Sequence, residues 1–162
     1  MKKIVISGEG GQGIRFIAHA LAVALIQLGY HVSLLYDHDS AIRTQKSLAY
    51  LTYDEKPIGS PMVEVADIML MLSKKEDKVC ARKIVCESGL CTDEQVPFSE
   101  LGAEKFGGAI FGNTIALGHL LRLIGVDIGK LDLEKTFPKK LFEENIKAVR
   151  FGYEFEHLDS RE

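Results

Sequence analysis

Hydrophobic positions along this chain fall into short apolar runs separated by longer segments of helical periodicity. The apolar runs predict buried β-strands at residues 4–7, 31–36, 47–53 and 67–72, with a weaker strand at 84–86. Apolar residues recurring every three or four positions predict helices at residues 14–28 and 113–124, with further helices at 97–106 and 139–151. This alternation predicts an α/β fold, a Rossmann-like three-layer sandwich with a mostly parallel sheet.

Polar residues and glycines suggest where these elements begin and end. Gly29 is placed to end the first helix, and the strands on either side of that helix are expected to be parallel, in a right-handed βαβ unit. Ser99 and Asn113 are candidate N-caps of the helices predicted at residues 97–106 and 113–124. Pro138 stands near the start of the last helix and Gly152 is expected to end it.

The connection between the first strand and the first helix is the strongest candidate site. Gly8, Gly10 and Gly13 have the spacing G-x-G-x-x-G, with an additional Gly11 and an unusual Gln12. Such a loop lets a ligand or another backbone approach closely, and it directs helix N–H groups at an anion. One interpretation is a dinucleotide site, with Asp37 after the second strand holding a ribose hydroxyl. The other is a tight turn against another subunit, and both remain open.

Composition places the chain among ordinary globular proteins. A length of 162 residues suits one domain over residues 1–162, and no linker or internal repeat divides it. A net charge of −3 gives no reason to expect nucleic acid as a partner. No apolar stretch approaches the ~20 residues of a membrane helix, and the N-terminal apolar run is too short for a signal peptide. We therefore expect a cytoplasmic protein without a membrane partner.

The remaining chemistry-bearing residues form no recognisable catalytic set. Cys80, Cys86 and Cys91 lack the spacing of a zinc or iron–sulfur site and are expected to be ordinary reduced thiols. The stretch 37–39, Asp-His-Asp, is read as a solvated turn rather than a metal site. His19 and His119 are read as surface or core residues. No catalytic residue and no metal ligand is therefore assigned.

Four segments in order carry a family resemblance: GEGGQG with its alanine-rich helix, DEKPIGSP, GNTIALG and ENIKAVRFGYEF. Together they make the chain resemble the gamma subunit, or gamma domain, of 2-oxoacid:ferredoxin oxidoreductases over roughly residues 4–155. DEKPIGSP is most similar to the gamma subunits that act on 2-oxoglutarate.

The resemblance implies a heteromeric enzyme that decarboxylates a 2-oxoacid, transfers the acyl group to coenzyme A and passes electrons to ferredoxin. It also implies alpha and beta subunits that hold thiamine diphosphate and a ferredoxin-like delta subunit with iron–sulfur clusters. The gamma subunit itself holds no prosthetic group in this scheme. Its role is structural, with possible contact to coenzyme A. The ligand or interface loop would comprise Gly8, Gly10, Gly11, Gln12 and Gly13, together with Arg43 and Asn113.

One segment departs from the family pattern. Members commonly carry an acidic residue followed by Arg-Gly-Gly after the second strand, whereas Arg43 is followed here by Thr44 and Gln45. Close approach of a partner or of coenzyme A at that loop is therefore expected to be altered. A stand-alone oxidoreductase that binds NAD or FAD is the alternative function, and a scaffold that binds no small molecule is a third.

Overall fold

The computed structural model describes residues 1–38, 46–74, 79–137 and 139–155. Within these ranges the strands form one six-stranded sheet. The strands are β1 Lys2–Glu9, β2 His31–His38, β3 Lys46–Asp54, β4 Val65–Met71, β5 Cys80–Glu87 and β6 Glu94–Val96. The helices are α1 Ile14–Gln27, α2 Phe98–Phe106, α3 Phe111–Leu123, α4 Leu133–Thr136 and α5 Phe142–Glu154, with a 3₁₀ turn at Ile128–Lys130.

The sheet has the order β2-β3-β1-β4-β5-β6, and one strand of the six runs against the others. β3 is antiparallel to both β1 and β2, while β1, β4, β5 and β6 pair in parallel. β1 and β2 therefore run in the same direction, as expected, but β3 lies between them. The expected Rossmann-like α/β fold with a mostly parallel sheet is confirmed.

The predicted roles of Asn113 and Gly152 at helix ends are wrong, and glycine explains both. α3 begins at Phe111 because the Gly108 and Ala109 carbonyls accept the first helical N–H groups, so Asn113 lies inside the first turn and does not cap the helix. α5 continues past Gly152, which packs directly against the backbone of Ile115. Gly152 therefore serves close helix packing and does not end the helix.

The remaining helix ends include one that was predicted correctly and one that was not, and three short elements were not predicted. Gly29, at φ 87°, follows α1, and Gly107, at φ 75°, ends α2 in the left-handed conformation. Ser99 is not the cap of α2, which begins after Pro97. The short elements β6, α4 and the 3₁₀ turn were not predicted, because three- or four-residue segments carry too little periodicity to be recognised.

The buried side chains of the described helices join one face of the sheet in a single core. Ile4, Ile6 and Leu70 contribute from the strands, and α3 is buried along most of its length between α1, α2 and α5. A second, small cluster of Val5, Ala66 and Met69 contains no helical residue. No helix among the described residues has the length and apolar character needed to cross a membrane.

The cysteines differ from expectation. Cys86, at the end of β5, is bonded to Cys91 in the following connection, with 6.2 Å between the two Cα atoms. The reduced state expected for both is therefore wrong for this structure, because the chain turns back after β5 and brings the two residues together. Cys80 keeps an exposed free thiol at the other end of the strand.

Candidate functional site

The glycine loop joins the carboxyl end of β1 to α1 through backbone conformations that side chains disfavour. Gly11 has φ 89° and Gly13, the N-cap of α1, has φ 74°. A Cβ at Gly13 would collide with the amide of Asn113, and one at Gly8 would enter the space of the Ile14 side chain. A Cβ at Gly11 would meet nothing within 4 Å. Gly11 therefore faces open space, whereas a Cβ at Gly8 or Gly13 would displace the neighbouring side chain of Ile14 or Asn113.

Gln12 holds this loop in place from within. Its side-chain oxygen accepts the N–H of Glu9 at 2.7 Å, and its Nε2 donates to the carbonyl of Leu72 at 2.9 Å. The N–H of Leu72 in turn donates to the carbonyl of Ser7 at 2.8 Å. The Gln12 amide thus ties the loop after β1 to the residue that follows β4, so its first role is to shape the site.

A cleft of two adjoining cavities lies over this loop, and Gly11, Ile110 and Asn113 line both cavities. The polar cavity has a volume of about 320 Å³ and also contacts Gln12, Glu87 and Ser99. The apolar cavity, of about 430 Å³, is also lined by Phe16, Phe111, Lys140, Leu141 and Asn145. Both volumes lie in the range of small-molecule sites, ~300–1,000 Å³.

Helix N-termini surround the cleft. The first residues of α2 and α3 line the polar cavity, and those of α1 and α5 line the apolar cavity. The residues at the N-cap positions of these four helices make no side-chain cap hydrogen bond; they are Gly13, Pro97, Ile110 and Leu141. Each helix N-terminus favours an anion by about 0.3–1 kcal/mol, so the cleft offers several such contributions at one place.

Two charged side chains modify that field in opposite ways. The Glu87 carboxylate accepts the Ser99 N–H at 3.1 Å and its hydroxyl at 2.9 Å, so it neutralises part of the α2 terminus. Lys140 adds a positive charge beside the apolar cavity. An anionic group therefore finds its most favourable position towards α1, α3 and Lys140, away from Glu87.

The α5 end of the cleft contains a strained residue. Leu141 has φ 55°, which a branched side chain adopts rarely, and it is 44% exposed at the rim of the apolar cavity. Ile110, which lines both cavities, is 65% exposed. Strain of this kind costs of order 1–3 kcal/mol and clusters at functional sites. The exposed apolar rim suits an apolar ligand segment or a protein contact.

The structure brings together most of the predicted loop residues. Gly8, Gln12, Gly13 and Asn113 lie around Gly11 as described above, and Gly10 is exposed beside it. Arg43, like Thr44 and Gln45, falls outside the described residues.

Asp37 lies apart from the glycine loop. It is exposed near the end of edge strand β2, and β3 separates that strand from β1. Asp37 therefore lies two strand spacings, of about 4.8 Å each, from the strand that carries the glycine loop. A dinucleotide site needs an acidic residue at the end of the neighbouring strand, and Asp37 does not occupy that position. In the same region the Arg15 guanidinium stacks over the Tyr36 ring, with 5.3 Å to its centroid. Partial burial raises the pKa of Tyr36, and Arg15 opposes that shift.

Several residues of the cleft escaped sequence reasoning. Glu87 and Ser99 are twelve positions apart and meet because β5 and α2 end and begin at the same edge. Lys140 and Leu141 belong to a non-helical lead into α5, where the basic pair 139–140 ahead of two acidic residues was the available signal. The left-handed conformation of a leucine carries no sequence signal at all.

These features define an α/β domain with a ligand or partner cleft at the carboxyl end of its first strand, where open α/β sheets bind their ligands. Comparison with known proteins gives the family. Residues 3–90 match the model of the pyruvate ferredoxin/flavodoxin oxidoreductase family, which is more than half of the chain. The chain belongs to this family. The resemblance to its gamma subunits is confirmed, and with it the expectation of a subunit of a 2-oxoacid:ferredoxin oxidoreductase.

Individual relatives agree with this assignment. The 2-oxoglutarate synthase subunit KorC of Archaeoglobus fulgidus is 27% identical over 160 residues, covering 93% of this chain and 86% of KorC. The gamma subunit of a keto/oxoacid ferredoxin oxidoreductase from Geobacter sulfurreducens has the same fold, with a TM-score of 0.67 and 19% identity, over 95% of this chain and 97% of the other.

A third relative carries this fold inside a longer chain. A 2-oxoglutarate:ferredoxin oxidoreductase from Magnetococcus marinus, described with 2-oxoglutarate, coenzyme A and succinyl-CoA bound, superimposes with a TM-score of 0.65 and 18% identity. The match covers 94% of this chain and 30% of that chain. A domain of this shape thus exists both as a separate subunit and as part of a larger polypeptide.

Proposed function

We propose that this chain is the gamma subunit, over residues 1–162, of a cytoplasmic complex that oxidatively decarboxylates 2-oxoglutarate and transfers the succinyl group to coenzyme A. Alpha, beta and ferredoxin-like delta subunits would complete the complex, and ferredoxin would accept the electrons. The choice of 2-oxoglutarate rests on the similarity to the A. fulgidus subunit along nearly the whole chain.

The prosthetic groups belong, in this proposal, to the partner subunits. The chain has three cysteines, one fewer than the four thiolates of a common iron–sulfur cluster, and two of them are bonded to each other. Among the described residues no group of three His, Cys, Asp or Glu is arranged to hold a metal ion. We therefore assign thiamine diphosphate and the clusters to the other subunits, and give this chain no catalytic residue.

The cleft would hold coenzyme A against the catalytic subunits. The observation that supports this role is that Gly11 lines both cavities, with the α2 and α3 N-termini beside it in the polar cavity and the α1 N-terminus beside it in the apolar cavity. Coenzyme A carries phosphate groups that suit helix N–H groups, and a long, weakly polar pantetheine arm that suits the apolar cavity of Phe16, Phe111 and Leu141. The chain would bind and orient the acyl acceptor, and the carbon chemistry would take place in its partners.

Gly11→Ala tests this role. The substitution keeps the open space but forces an alanine to φ 89°, which distorts the loop. In the reconstituted complex we expect KM for coenzyme A to rise by about tenfold, equivalent to about 1.4 kcal/mol, with KM for 2-oxoglutarate unchanged.

Gly29→Ala is the matched control, because Gly29 has φ 87°, equally open space and a place at the far end of α1. It should cost similar stability and leave both KM values unchanged. Equal KM values for coenzyme A in Gly11→Ala and wild type would contradict the proposal and favour a scaffold role. Micromolar binding of NAD or FAD by the chain would favour the stand-alone alternative.

A further inference from the structure

The bond between Cys86 and Cys91 lies beside the cleft. Cys86 is fully buried at the end of β5, whereas Cys91 is half-buried in the connection to β6. Their Cα separation of 6.2 Å is within the normal range for a disulfide. Cys80 lies at the start of the same strand, about 20 Å away at 3.3 Å per residue, so it does not take part in this pair.

The connection closed by this bond carries a cleft residue. Glu87 directly follows Cys86, lines the polar cavity and accepts both the N–H and the hydroxyl of Ser99 in the first turn of α2. In the same connection, the Gly89 N–H donates at 2.8 Å to the side chain of Gln95, which lies in β6. Greater mobility of residues 87–94 would therefore change the position of the Glu87 carboxylate, which accepts hydrogen bonds from Ser99 at the N-terminus of α2.

The Cys86–Cys91 bond is expected to add little to the free energy of unfolding. The paired cysteines are five positions apart, and a short loop gains least from closure. Disulfides in reducing compartments are, as a rule, transient and either catalytic or redox-sensing. Because Cys91 is the half-buried member of the pair, its sulfur is the point of attack for an external thiolate, with the Cys86 sulfur as the leaving group.

We propose that Cys86 and Cys91 form a reversible thiol–disulfide exchange site whose state controls Glu87 in the polar cavity. Its substrates are dithiols in the reducing direction and peroxides in the oxidising direction. The consequence for coenzyme A rests on the function proposed above. With the bond closed, Glu87 is held on the α2 terminus and its charge opposes a phosphate. With the bond open, the connection relaxes and the terminus becomes available.

Atoms and electrons balance in both the reduction and the oxidation of the cysteine pair. One thiolate of a dithiol attacks the Cys91 sulfur and forms a mixed disulfide, while Cys86 leaves as a thiolate and takes a proton. The second thiol of the reagent then displaces Cys91, so the protein gains two thiols and the reagent becomes a cyclic disulfide. In the reverse direction the two thiols lose two electrons and two protons to hydrogen peroxide, which yields two waters.

Differential alkylation and hydrogen exchange of the full chain test the proposal. Dithiothreitol should make Cys91 reactive in addition to Cys80 under native conditions, and Cys86 as well after unfolding in denaturant, and peroxide should reverse both effects. Exchange of the Ser99 amide should quicken on reduction, because its acceptor Glu87 is released. Reduction should tighten coenzyme A binding by about two- to fivefold, the effect of one charge at a helix terminus.

Three variants separate the contributions. The double variant Cys86→Ser/Cys91→Ser should behave as the reduced chain in either reagent, and Cys80→Ser should behave as wild type. Glu87→Gln should bind coenzyme A equally in both redox states. The proposal is overturned when dithiothreitol exposes no additional cysteine, or when Ser99 exchange is the same in both states. Redox-dependent Ser99 exchange without coenzyme A binding in either state would refute the proposed function and support the exchange site.

Discussion

At the centre of the cleft, Gln12 stabilises the backbone of the glycine loop and does not present its side chain to a ligand. Gln12, which the sequence marks by its unusual position among glycines, uses both ends of its side-chain amide on the backbone of Glu9 and Leu72. The open face is provided instead by Gly11. A motif residue can thus support a site without offering its own polar atoms to the ligand.

Gln12→Leu removes both of these hydrogen bonds while keeping a side chain of similar size. We expect a loss of about 1–3 kcal/mol in the free energy of unfolding, from two bonds of about 0.5–1.5 kcal/mol each. Affinity for coenzyme A should fall as well, because the loop is no longer tied to Leu72. Urea denaturation and isothermal titration measure the two effects.

Gln27→Leu is the control, because the Gln27 amide makes a comparable set of bonds to Asp132 and Thr136 at the other end of α1. It should lose stability without losing affinity. A Gln12→Leu chain that binds coenzyme A as tightly as wild type would show that the loop holds its shape without this brace.

His119 makes folding sensitive to pH. Burial lowers its pKa, against the raising effect of the Glu94 carboxylate at 2.6 Å, while Lys83 and Arg122 also lower it. The ring is therefore neutral, with Nε2 donating to Glu94, and its buried Nδ1 has no hydrogen-bond partner among the described residues. In the unfolded chain His119 titrates near the ordinary value of about 6.5.

The sign of the effect follows from proton counts. Between the lowered pKa of the folded chain and about 6.5, the unfolded state binds the extra proton, so stability is full above this window and falls as the pH drops through it. We expect urea denaturation between pH 7.5 and 5 to show a decline of at most about 1.4 kcal/mol per pH unit from this group. His119→Gln should flatten the profile, whereas Gln at the exposed His19 should leave it unchanged. An identical slope in His119→Gln would exclude His119 as its source.

At the scale of elements, glycines set how closely the helices pack. A Cβ at Gly118 of α3 would collide with the Val149 carbonyl of α5, and one at Gly152 would collide with the Ile115 carbonyl. On the other side of α3, a Cβ at Gly112 would lie 2.6 Å from the carbonyl of Phe98. α3 is thus packed by glycine against both α5 and α2, which brings the N-termini of these helices to the cleft.

The periodicity of apolar residues predicted the long helices, but it did not show whether a glycine ends a helix or packs against a neighbouring one. Gly152 stood where an ending glycine would stand, because a single sequence does not distinguish a left-handed cap from a close contact. Asn113 resembled a cap for a similar reason, and the true start of α3 depends on a turn at Gly108. The cleft was predicted at its glycine loop and missed at Glu87 and Leu141, which reach it through tertiary packing and backbone strain.

Gly118→Ala tests this packing. Alanine is the better helix former by about 1 kcal/mol, but the clash with the Val149 carbonyl is with backbone and cannot be relieved by a rotamer change. We expect a net loss of about 1–3 kcal/mol in the free energy of unfolding, with separation of α3 from α5.

Gly59→Ala serves as the control, because a Cβ there meets nothing within 4 Å and no left-handed conformation is required. Its free energy of unfolding should stay within about 0.5 kcal/mol of wild type. Stabilisation by Gly118→Ala, measured by chemical denaturation, would show that α3 and α5 are further apart than described.

At the scale of the whole molecule, the sheet order could not be read from the sequence. The pattern of strands and helices predicted a βαβ unit, and β1 and β2 do run in the same direction. The antiparallel β3 lies between them and pairs with both. Strand pairing is a long-range property, and local periodicity carries no information about it. The same insertion separates Asp37 from the glycine loop and so removes the geometry of a dinucleotide site.

The two faces of this sheet contribute unequally to stability, and neighbouring residues of β4 report on them separately. Leu70 is buried in the large core shared with the helices, whereas Met69 is buried in the small cluster with Val5 and Ala66. Leu70→Ala should cost about 2–5 kcal/mol, since rigid helices on one side prevent the cavity from collapsing. Met69→Ala should cost less, because most side chains packed around the small cluster are only partly buried, and these strand and loop residues can close the gap. Urea denaturation of both variants measures the difference, and equal costs would mean that the second face is packed as firmly as the first.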